Sequence, residues 1–202
     1  MPSPTLKQLL TESGCLIEGT HVLYASGRHG DTYFNKNLLF ANPRYMDFIG
    51  SEFAKSFSGD SFDAVIGPVT GGAILSSWTA HHASLTTGRT VASLYADKAC
   101  DGFVVKRGYG EYLRGKKVLV VEDVITTGGS VMKVLREVEN HGGKVAGVAV
   151  ICNRAGITKN ELGKVPKLVS LISLNLTSYA PAECPLCAKG VPLSTELGHA
   201  KK

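Results

Sequence analysis

One stretch, residues 116–136 (KKVLVVEDVITTGGSVMKVLR), constrains the fold of this chain more than any other. Residues 118–121 form a short β-branched run, which is typical of a strand buried on both faces. Glu122 and Asp123 follow at the carboxyl end of that strand, where an open α/β sheet binds its ligands. A small hydroxyl-rich loop comes next, and apolar residues then recur at helical spacing from Val131 onward. The stretch therefore predicts a strand, an acidic pair, a glycine loop and a helix in succession.

A glycine loop at a helix N-terminus suits an anion. Backbone N–H groups point outward there, glycines allow close approach, and the helix dipole favours negative charge. The loop lacks the lysine of a Walker motif and the spacing of a dinucleotide fingerprint. Two carboxylates directly before such a loop suit a phosphosugar, whose hydroxyls can donate to them. A buried strand with an acidic, glycine-rich turn is the alternative. The loop residues are Thr126, Thr127, Gly128, Gly129 and Ser130.

The wording VVEDVITTGGS resembles the phosphoribosyl-diphosphate (PRPP) signature of type I phosphoribosyltransferases, and is most similar to the orotate enzymes. The resemblance implies that Glu122 and Asp123 hold the two ring hydroxyls of ribose, with Asp123 also acting in catalysis. It implies that the loop holds the sugar phosphate. Further PRPP contacts are implied at Val124 and Ile125.

Strands alternate with helical patterns along the chain, which predicts an α/β fold with a mostly parallel sheet flanked by helices. We expect a single domain over residues 1–202, with a small N-terminal hood at about 1–40, a core at about 60–175 and a C-terminal tail at 176–202. A helix is predicted from Pro43 to about Ser56, because a proline suits the first helical turn.

A second anion-friendly loop, PVTGGA, follows a predicted strand at 62–67 and opens a helix. In the resembling family this loop holds the pyrophosphate; a plain strand-to-helix turn is the alternative. In the helix, Ile74, Trp78 and Leu85 are predicted to form one apolar face. The pyrophosphate contacts are expected at Val69, Thr70, Gly71 and Gly72.

Two segments carry the expected contacts to the base. Residues 25–36 resemble the orotate-enzyme segment that covers the base, where Tyr33 and Phe34 match aromatics bordering the pocket; they equally suit the core of a hairpin. Arg154 follows a predicted strand at 144–152, and an arginine there can pair bidentately with a carboxylate. The resemblance implies that Arg154 grips the orotate carboxylate, assisted by Thr126. A surface arginine is the alternative.

Residues 97–113 contain glycines, charges and only a short apolar run, which favours a lid or binding loop. This is the position of the flexible catalytic loop in the resembling family. Lys98 matches a PRPP-binding lysine, and Lys106 and Arg107 are further candidate catalytic cations. A solvated hairpin is the alternative for each of them.

The amino-acid composition limits the class of protein and the kinds of binding partner that we expect. Charged residues are 19% and hydrophobic residues 44%, as in ordinary globular proteins. No apolar run is long enough to span a membrane, and residues 2–14 do not resemble a secretory leader, so we expect a cytoplasmic protein. The net charge of +5 is scattered and not interleaved with aromatics, which favours a polyanionic small substrate over nucleic acid.

Five cysteines are an odd number and argue against a disulfide framework. Cys184 and Cys187 form a C-x-x-C, but a structural zinc site usually needs four ligands. His199, Cys152 or a partner subunit could supply the others. A knuckle turn with reduced thiols is the favoured interpretation, so no metal ligand is predicted.

The resemblance implies an orotate phosphoribosyltransferase that acts with Mg²⁺ bound together with PRPP, and a homodimer. Two departures, Ala25 in place of a lysine and HGDTY in place of a Ser-Pro-aromatic wording, keep a phosphoribosyltransferase for another base, such as a purine, as the alternative. The second alternative function is a PRPP-sensing regulator without turnover.

Overall fold

The computed structural model of the chain describes residues 6–24, 26–174 and 177–197. Ala25 and His199 lie outside these residues. The chain divides into two compact units, one comprising Pro43–Leu174 and the other built from both chain ends, Met1–Asn42 and Asn175–Lys202. The expected hood and tail thus belong to one unit.

The N-terminal part of the smaller unit centres on a two-stranded hairpin. Strand β1 (Leu16–Leu23) pairs antiparallel with β2 (His29–Phe34), and the register shifts between Glu18 and Val22. Helix α1 (Leu6–Ser13) precedes the hairpin and the four-residue helix α2 (Asn37–Phe40) follows it. The register shift makes β1 an irregular strand.

The larger unit is built on a six-stranded sheet in the order β5-β4-β3-β6-β7-β8, in which β5 is antiparallel to β4 and all other neighbours are parallel. This confirms the predicted α/β fold with a mostly parallel sheet. The strands are β3 (Ala64–Pro68), β4 (Ala92–Ala99), β5 (Gly102–Val104), β6 (Lys117–Ile125), β7 (Lys144–Asn153) and β8 (Leu168–Ser173).

The helices of this unit are α3 (Pro43–Ser56), α4 (Gly71–Thr87), α5 (Tyr109–Leu113) and α6 (Gly129–Asn140). Helix α3 has the predicted bounds. The apolar face predicted for α4 is wrong, because Leu85 is 67% exposed. The buried face instead carries small residues together with Leu75. Small residues suit a close packing of α3 and α4; a Cβ at Gly50 would lie 2.7 Å from the backbone of Trp78.

The strand order locates a ligand crevice between β3 and β6. From β3 the chain moves outward to β4 and β5, whereas from β6 it moves in the opposite direction to β7 and β8. In open α/β sheets ligands bind where the winding direction reverses, at the carboxyl ends of the strands. The two glycine loops predicted to bind anions follow β3 and β6, so both lie at this point.

The C-terminal part of the smaller unit forms a 3₁₀ turn (Pro181–Glu183) and a four-residue helix, α7 (Pro185–Ala188). Tyr179 pairs with His29 through two backbone hydrogen bonds of 2.9 Å, which adds the tail to the edge of β2. Across the parts of the chain that the structure describes, every helix falls short of the length and apolarity that crossing a membrane requires.

Candidate active site

Strand β6 carries the two acids near its carboxyl end. The strand continues four residues beyond the predicted end, because residues 122–125 keep their pairing with β7 after the last pair with β3, Ile66 with Val120. Glu122 and Asp123 are 8% and 4% exposed. Buried carboxylates need hydrogen-bonding partners, and the Asp123 N–H donates to Glu122 Oε1 at 3.0 Å. Both acids are therefore buried near the carboxyl end of β6.

The loop after β6 forms the N-terminus of α6. Gly128 has φ of 77°, and a Cβ there would lie 2.6 Å from Leu162 Cδ2, so this position requires glycine for two reasons. The N-cap residue of α6, Gly128, has no side chain to cap the helix. Thr127 Oγ1 accepts from the Gly129 N–H at 3.4 Å, and the exposed hydroxyl residues Thr126, Thr127 and Ser130 surround the helix start. The predicted anion-binding geometry, glycine loop into helix N-terminus, is present.

A cavity of about 170 Å³ lies against this loop, lined by Glu122 and residues 124–131. Asp123 is not among the residues that line it. Successive residues of a strand point to opposite faces of the sheet, so Glu122 and Val124 share a side that Asp123 does not. The two acids therefore lie on opposite faces of β6, and of the two only Glu122 lines this cavity.

The loop after β3 folds tightly over the end of its own strand. A Cβ at Gly67 would lie 2.5 Å from Gly72, and a Cβ at Gly72 would lie 2.6 Å from Pro68 Cδ. The Val69–Thr70 peptide bond is cis, and the Val69 N–H donates to the Ala96 carbonyl at 3.0 Å. Thr70 is exposed ahead of α4, whose first residues Gly71 and Gly72 are buried. The loop thus presents an uncapped helix start beside the crevice.

Arg154 lies where β7 ends, next to the loop after β6. Its backbone N–H donates to the Ile125 carbonyl at 2.9 Å, which brings Arg154 beside Thr126 as the predicted base contacts require. Asn153, buried at 5% exposure, holds the turn that follows. Its side-chain amide donates to the Ile157 carbonyl at 2.8 Å, and its oxygen accepts from the Ile157 N–H at 3.0 Å. Sequence reasoning missed Asn153; its position directly before Arg154 was the available signal.

The expected lid is an ordered hairpin over much of its length. Strands β4 and β5 pair through Lys98 and Phe103, and α5 follows. Lys98, Lys106 and Arg107 are all exposed, and Arg107 Nε lies 3.6 Å from Asp97 Oδ2. Desolvation, followed by the neighbouring Tyr95, raises the pKa of Tyr109, whose ring packs edge-to-face on that of Tyr95. The three cations thus share a solvated surface, and the role of each stays a prediction.

Tyr33 and Phe34 lie on β2 of the smaller unit, opposite Ile17 and Leu16. Phe34 is buried and Tyr33 is half-buried. Within their own unit they occupy the hairpin positions that the alternative interpretation gave them, and their contact with a base stays a prediction.

Comparison with known proteins agrees with this geometry. The family described as "Phosphoribosyl transferase domain" matches residues 37–183. The orotate phosphoribosyltransferase of Caldanaerobacter subterraneus subsp. tengcongensis is 39% identical over 178 residues, covering 88% of each chain. That of Thermotoga maritima is 38% identical over 188 residues, covering 93% of this chain and 94% of its own. The crystal structure of orotate phosphoribosyltransferase from Aeropyrum pernix shares the fold, with a TM-score of 0.66 at 22% identity, covering 84% of this chain and 94% of that one.

Two glycine loops that lead into helix N-termini, together with a buried acidic pair, form the arrangement expected of a protein that binds a phosphorylated sugar. With the match over residues 37–183 and relatives at 38–39% identity, the chain belongs to the phosphoribosyltransferase family, in its orotate branch.

Proposed function

We propose that the protein transfers the phosphoribosyl group of PRPP to orotate, giving orotidine monophosphate and pyrophosphate in pyrimidine nucleotide synthesis. The observation that carries this is the reversal of strand order between β3 and β6, where the loop after each strand leads into the N-terminus of a helix. Two anionic groups on one sugar, a phosphate and a pyrophosphate, suit two such loops.

In the proposed reaction a ring nitrogen of the base displaces pyrophosphate from the anomeric carbon. The sugar gains positive charge as the pyrophosphate gains negative charge, so catalysis depends on positioning and electrostatics. Glu122 and Asp123 orient the ribose and favour its positive charge. The loop of Thr126–Ser130 holds the sugar phosphate, and the loop of Val69–Gly72 stabilises the departing pyrophosphate. Lys98, Lys106 and Arg107 add positive charge when the hairpin closes.

Mg²⁺ is part of the proposal, bound together with PRPP. Carboxylate and phosphate oxygens are the ligands that Mg²⁺ prefers, and it often keeps several waters. Glu122 and Asp123 are the carboxylates of the crevice that fit this donor set. Bound there, the ion would neutralise charge on the pyrophosphate.

The activity is tested by pyrophosphate release with PRPP, Mg²⁺ and a panel of bases. Orotate should be the base that turns over. Release with a purine but not with orotate would instead support the alternative that the departures at residues 25 and 29–33 keep open. No release with any base, although PRPP binds, would indicate a PRPP-sensing regulator.

The assignment of the base is tested at Arg154. Truncating one partner of a buried charge pair commonly costs about 2–5 kcal/mol, so Arg154→Ala should raise the orotate KM by well over tenfold and change the PRPP KM far less. Arg136→Ala, an exposed arginine on α6, is the matched control. An unchanged orotate KM in Arg154→Ala would contradict the assignment.

We also propose a homodimer in the cytoplasm, the assembly and compartment expected from the resemblance and the composition. If the hairpin of one subunit serves its neighbour's crevice, mixing equal amounts of inactive Asp123→Ala and an inactive Lys106→Ala/Arg107→Ala variant should restore up to about a quarter of the activity. About half of the dimers are then mixed, and each mixed dimer has one intact site out of two. No recovery in mixed dimers would show that the hairpin serves its own subunit.

A further inference from the structure

Four potential metal ligands come together in the smaller unit, and none of them is among the residues assigned to the phosphoribosyl site. His21 and His29 come from the β1–β2 hairpin, and Cys184 and Cys187 come from the tail. One donor atom from each lies within 4.8 Å of all the others. His21, His29 and Cys184 are 2%, 6% and 2% exposed, and Cys187 is exposed. Burying polar groups costs free energy, so imidazoles and thiols rarely come together in this way unless they bind a common partner.

The distances fit one tetrahedral ion. A zinc ion bound at about 2.0–2.1 Å to nitrogen and about 2.3 Å to sulfur holds its tetrahedral donors about 3.3–3.8 Å apart. His21 Nε2 lies 3.0 Å from His29 Nδ1, 3.5 Å from Cys184 Sγ and 3.7 Å from Cys187 Sγ. Cys187 Sγ lies 3.3 Å from His29 Nδ1. These four of the six donor-to-donor distances are within a few tenths of an ångström of the tetrahedral values, and the remaining two are no longer than 4.8 Å.

The orientation of His21 is set for ligation. Its Nδ1 lies 2.7 Å from the Val191 carbonyl, which can only accept, so Nδ1 carries the proton and donates. Nε2 is then the nitrogen with the free lone pair, and it is the one that faces the sulfurs. Metal-binding histidines commonly donate their other N–H to a backbone carbonyl in this manner.

The local structure of the tail explains how both cysteines and Val191 reach the hairpin. Helix α7 begins after Cys184 with Pro185, which suits a first helical position. The chain leaves the helix through Gly190, whose φ is 68°. The Gly190 N–H donates to the Cys187 carbonyl at 2.9 Å, and the Val191 N–H donates to the Leu186 carbonyl at 3.0 Å. This is the Schellman ending of a helix. It turns the chain back so that Val191 meets His21.

We propose that these four residues form a structural Cys₂His₂ zinc site. Two thiolates and two imidazoles in a tetrahedron are the donor set and geometry that zinc prefers. All four positions are filled by protein, so the site has none left for a substrate, which distinguishes structural from catalytic zinc. Magnesium is excluded as the occupant because it prefers oxygen ligands. The proposal is independent of the proposed function.

The site fastens the two chain ends to each other. Cys184 is 163 residues from His21 along the chain, and the unit they share has about 70 residues. Units of this size generally need a metal, disulfides or another constraint to be stable, and a four-residue helix is not stable alone. Binding of the ion therefore contributes folding free energy to this unit.

The first test is metal content. Protein purified under reducing conditions without chelators should contain one zinc per chain by mass spectrometry, and cobalt should replace it with the intense visible bands of a tetrahedral ion and thiolate-to-cobalt charge transfer. Cys184→Ser and His21→Asn should lose the zinc and these bands. Cys100→Ser removes an exposed cysteine elsewhere and should keep both.

The second test separates a structural role from incidental binding. Removing zinc from the wild-type protein with a strong chelator should raise amide hydrogen exchange at Tyr179, Val191 and Ser194 at least tenfold, with little change in β6 and β7. Because this uses no variant, misfolding of a mutant cannot confuse it. A reduced wild-type protein that takes up neither zinc nor cobalt would overturn the proposal. So would unchanged exchange after the ion is removed, or a Cys184–Cys187 disulfide as the stable form in reducing buffer.

Discussion

The two units of this molecule bury different kinds of side chains. The larger unit is organised around fully buried aliphatic side chains of its central strands, such as Val65, Leu119 and Val148. The smaller unit is organised around a two-stranded hairpin, which alone is marginally stable in water, and it buries His21, His29 and Cys184. The larger unit is therefore stabilised mainly by apolar burial. The smaller one buries a polar cluster beside its apolar side chains, and under the zinc proposal its stability depends on the ion that this cluster binds.

This difference has a consequence for substitutions. In the larger unit an apolar replacement of a buried polar atom that has no hydrogen-bond partner, as at Thr79, should be tolerated. In the smaller unit an apolar replacement of His21, His29 or Cys184 should remove one of the four proposed zinc ligands. Each unit should also respond to its own perturbation without the other one following.

The largest effect is expected for Leu119→Ala in the centre of β6. Removing a fully buried leucine side chain costs about 2–5 kcal/mol through lost burial and the resulting cavity. Urea unfolding followed by circular dichroism should show this loss, while zinc content below the transition stays that of the wild type. Loss of zinc under native conditions would show that the two units do not respond separately. Leu85→Ala, at an exposed leucine, is the control.

A smaller effect is expected for Asn153→Ala, which removes a polar side chain whose hydrogen bonds in the larger unit are satisfied. The variant leaves the Ile157 N–H and carbonyl without this partner, at about 1–3 kcal/mol. Because the turn carries Arg154, steady-state kinetics should show a rise in orotate KM greater than the rise in PRPP KM. Asn140→Ala at the end of α6 should change neither. Equal changes in both KM values would mean that Asn153 does not position Arg154.

Asp63 contributes to the free energy of unfolding in a way that depends on pH, unlike the buried apolar side chains. Hydrogen bonds from the Lys117 N–H and from Arg89 hold the pKa of Asp63 below its ordinary value of 3.8. The carboxylate therefore stabilises the fold at neutral pH, and this contribution is lost as the pH falls below that value through the folded-state pKa. Asp63→Asn should cost about 1 kcal/mol at pH 7, because the bonds are partly exposed.

Thermal unfolding from pH 7 to pH 2.5 measures this contribution. The difference between wild type and Asp63→Asn should shrink towards zero at the acid end. Asp101→Asn, an exposed carboxylate, is the control. A stability difference between the two proteins that stays constant with pH would show that the Asp63 carboxylate does not make this contribution.

The smallest effect is expected for Thr79→Val on α4. Thr79 is fully buried. Its hydroxyl has no hydrogen-bond partner among the described residues. Replacing it with a methyl group of the same shape should leave the free energy of unfolding unchanged or raise it by up to about 1 kcal/mol. A loss above about 1 kcal/mol would reveal a partner such as a buried water. The same kind of replacement at His21, to leucine, should abolish zinc binding.

The local geometry of the candidate phosphoribosyl site could be predicted from the sequence because its parts are contiguous in the chain. Glu122, Asp123 and the loop to Ser130 are contiguous, and backbone geometry fixes how a strand, a glycine loop and a helix succeed one another. The bounds of α3 were predictable for the same reason. The face of α4 was not, because its packing is set by close approach to α3 and not by the periodicity of large apolar residues.

The cluster of the smaller unit could not be predicted because its parts are distant in sequence. Cys184 and Cys187 suggested half of a zinc site, but His21 and His29 lie in the irregular hairpin of the opposite chain end. Nothing in the local pattern marks a histidine as the partner of a distant cysteine. The split of Glu122 and Asp123 to opposite faces was also missed, because the strand proved longer than its apolar run.

Calorimetric titration of the protein with PRPP and Mg²⁺ tests most directly whether β6 and its loop hold a phosphoribosyl group. We predict one binding site per chain in the wild type, unchanged in Glu139→Gln on the exposed face of α6, and at least tenfold weaker in both Glu122→Gln and Asp123→Asn. Absence of PRPP binding in the wild type, or equal affinity in all four proteins, would contradict the account.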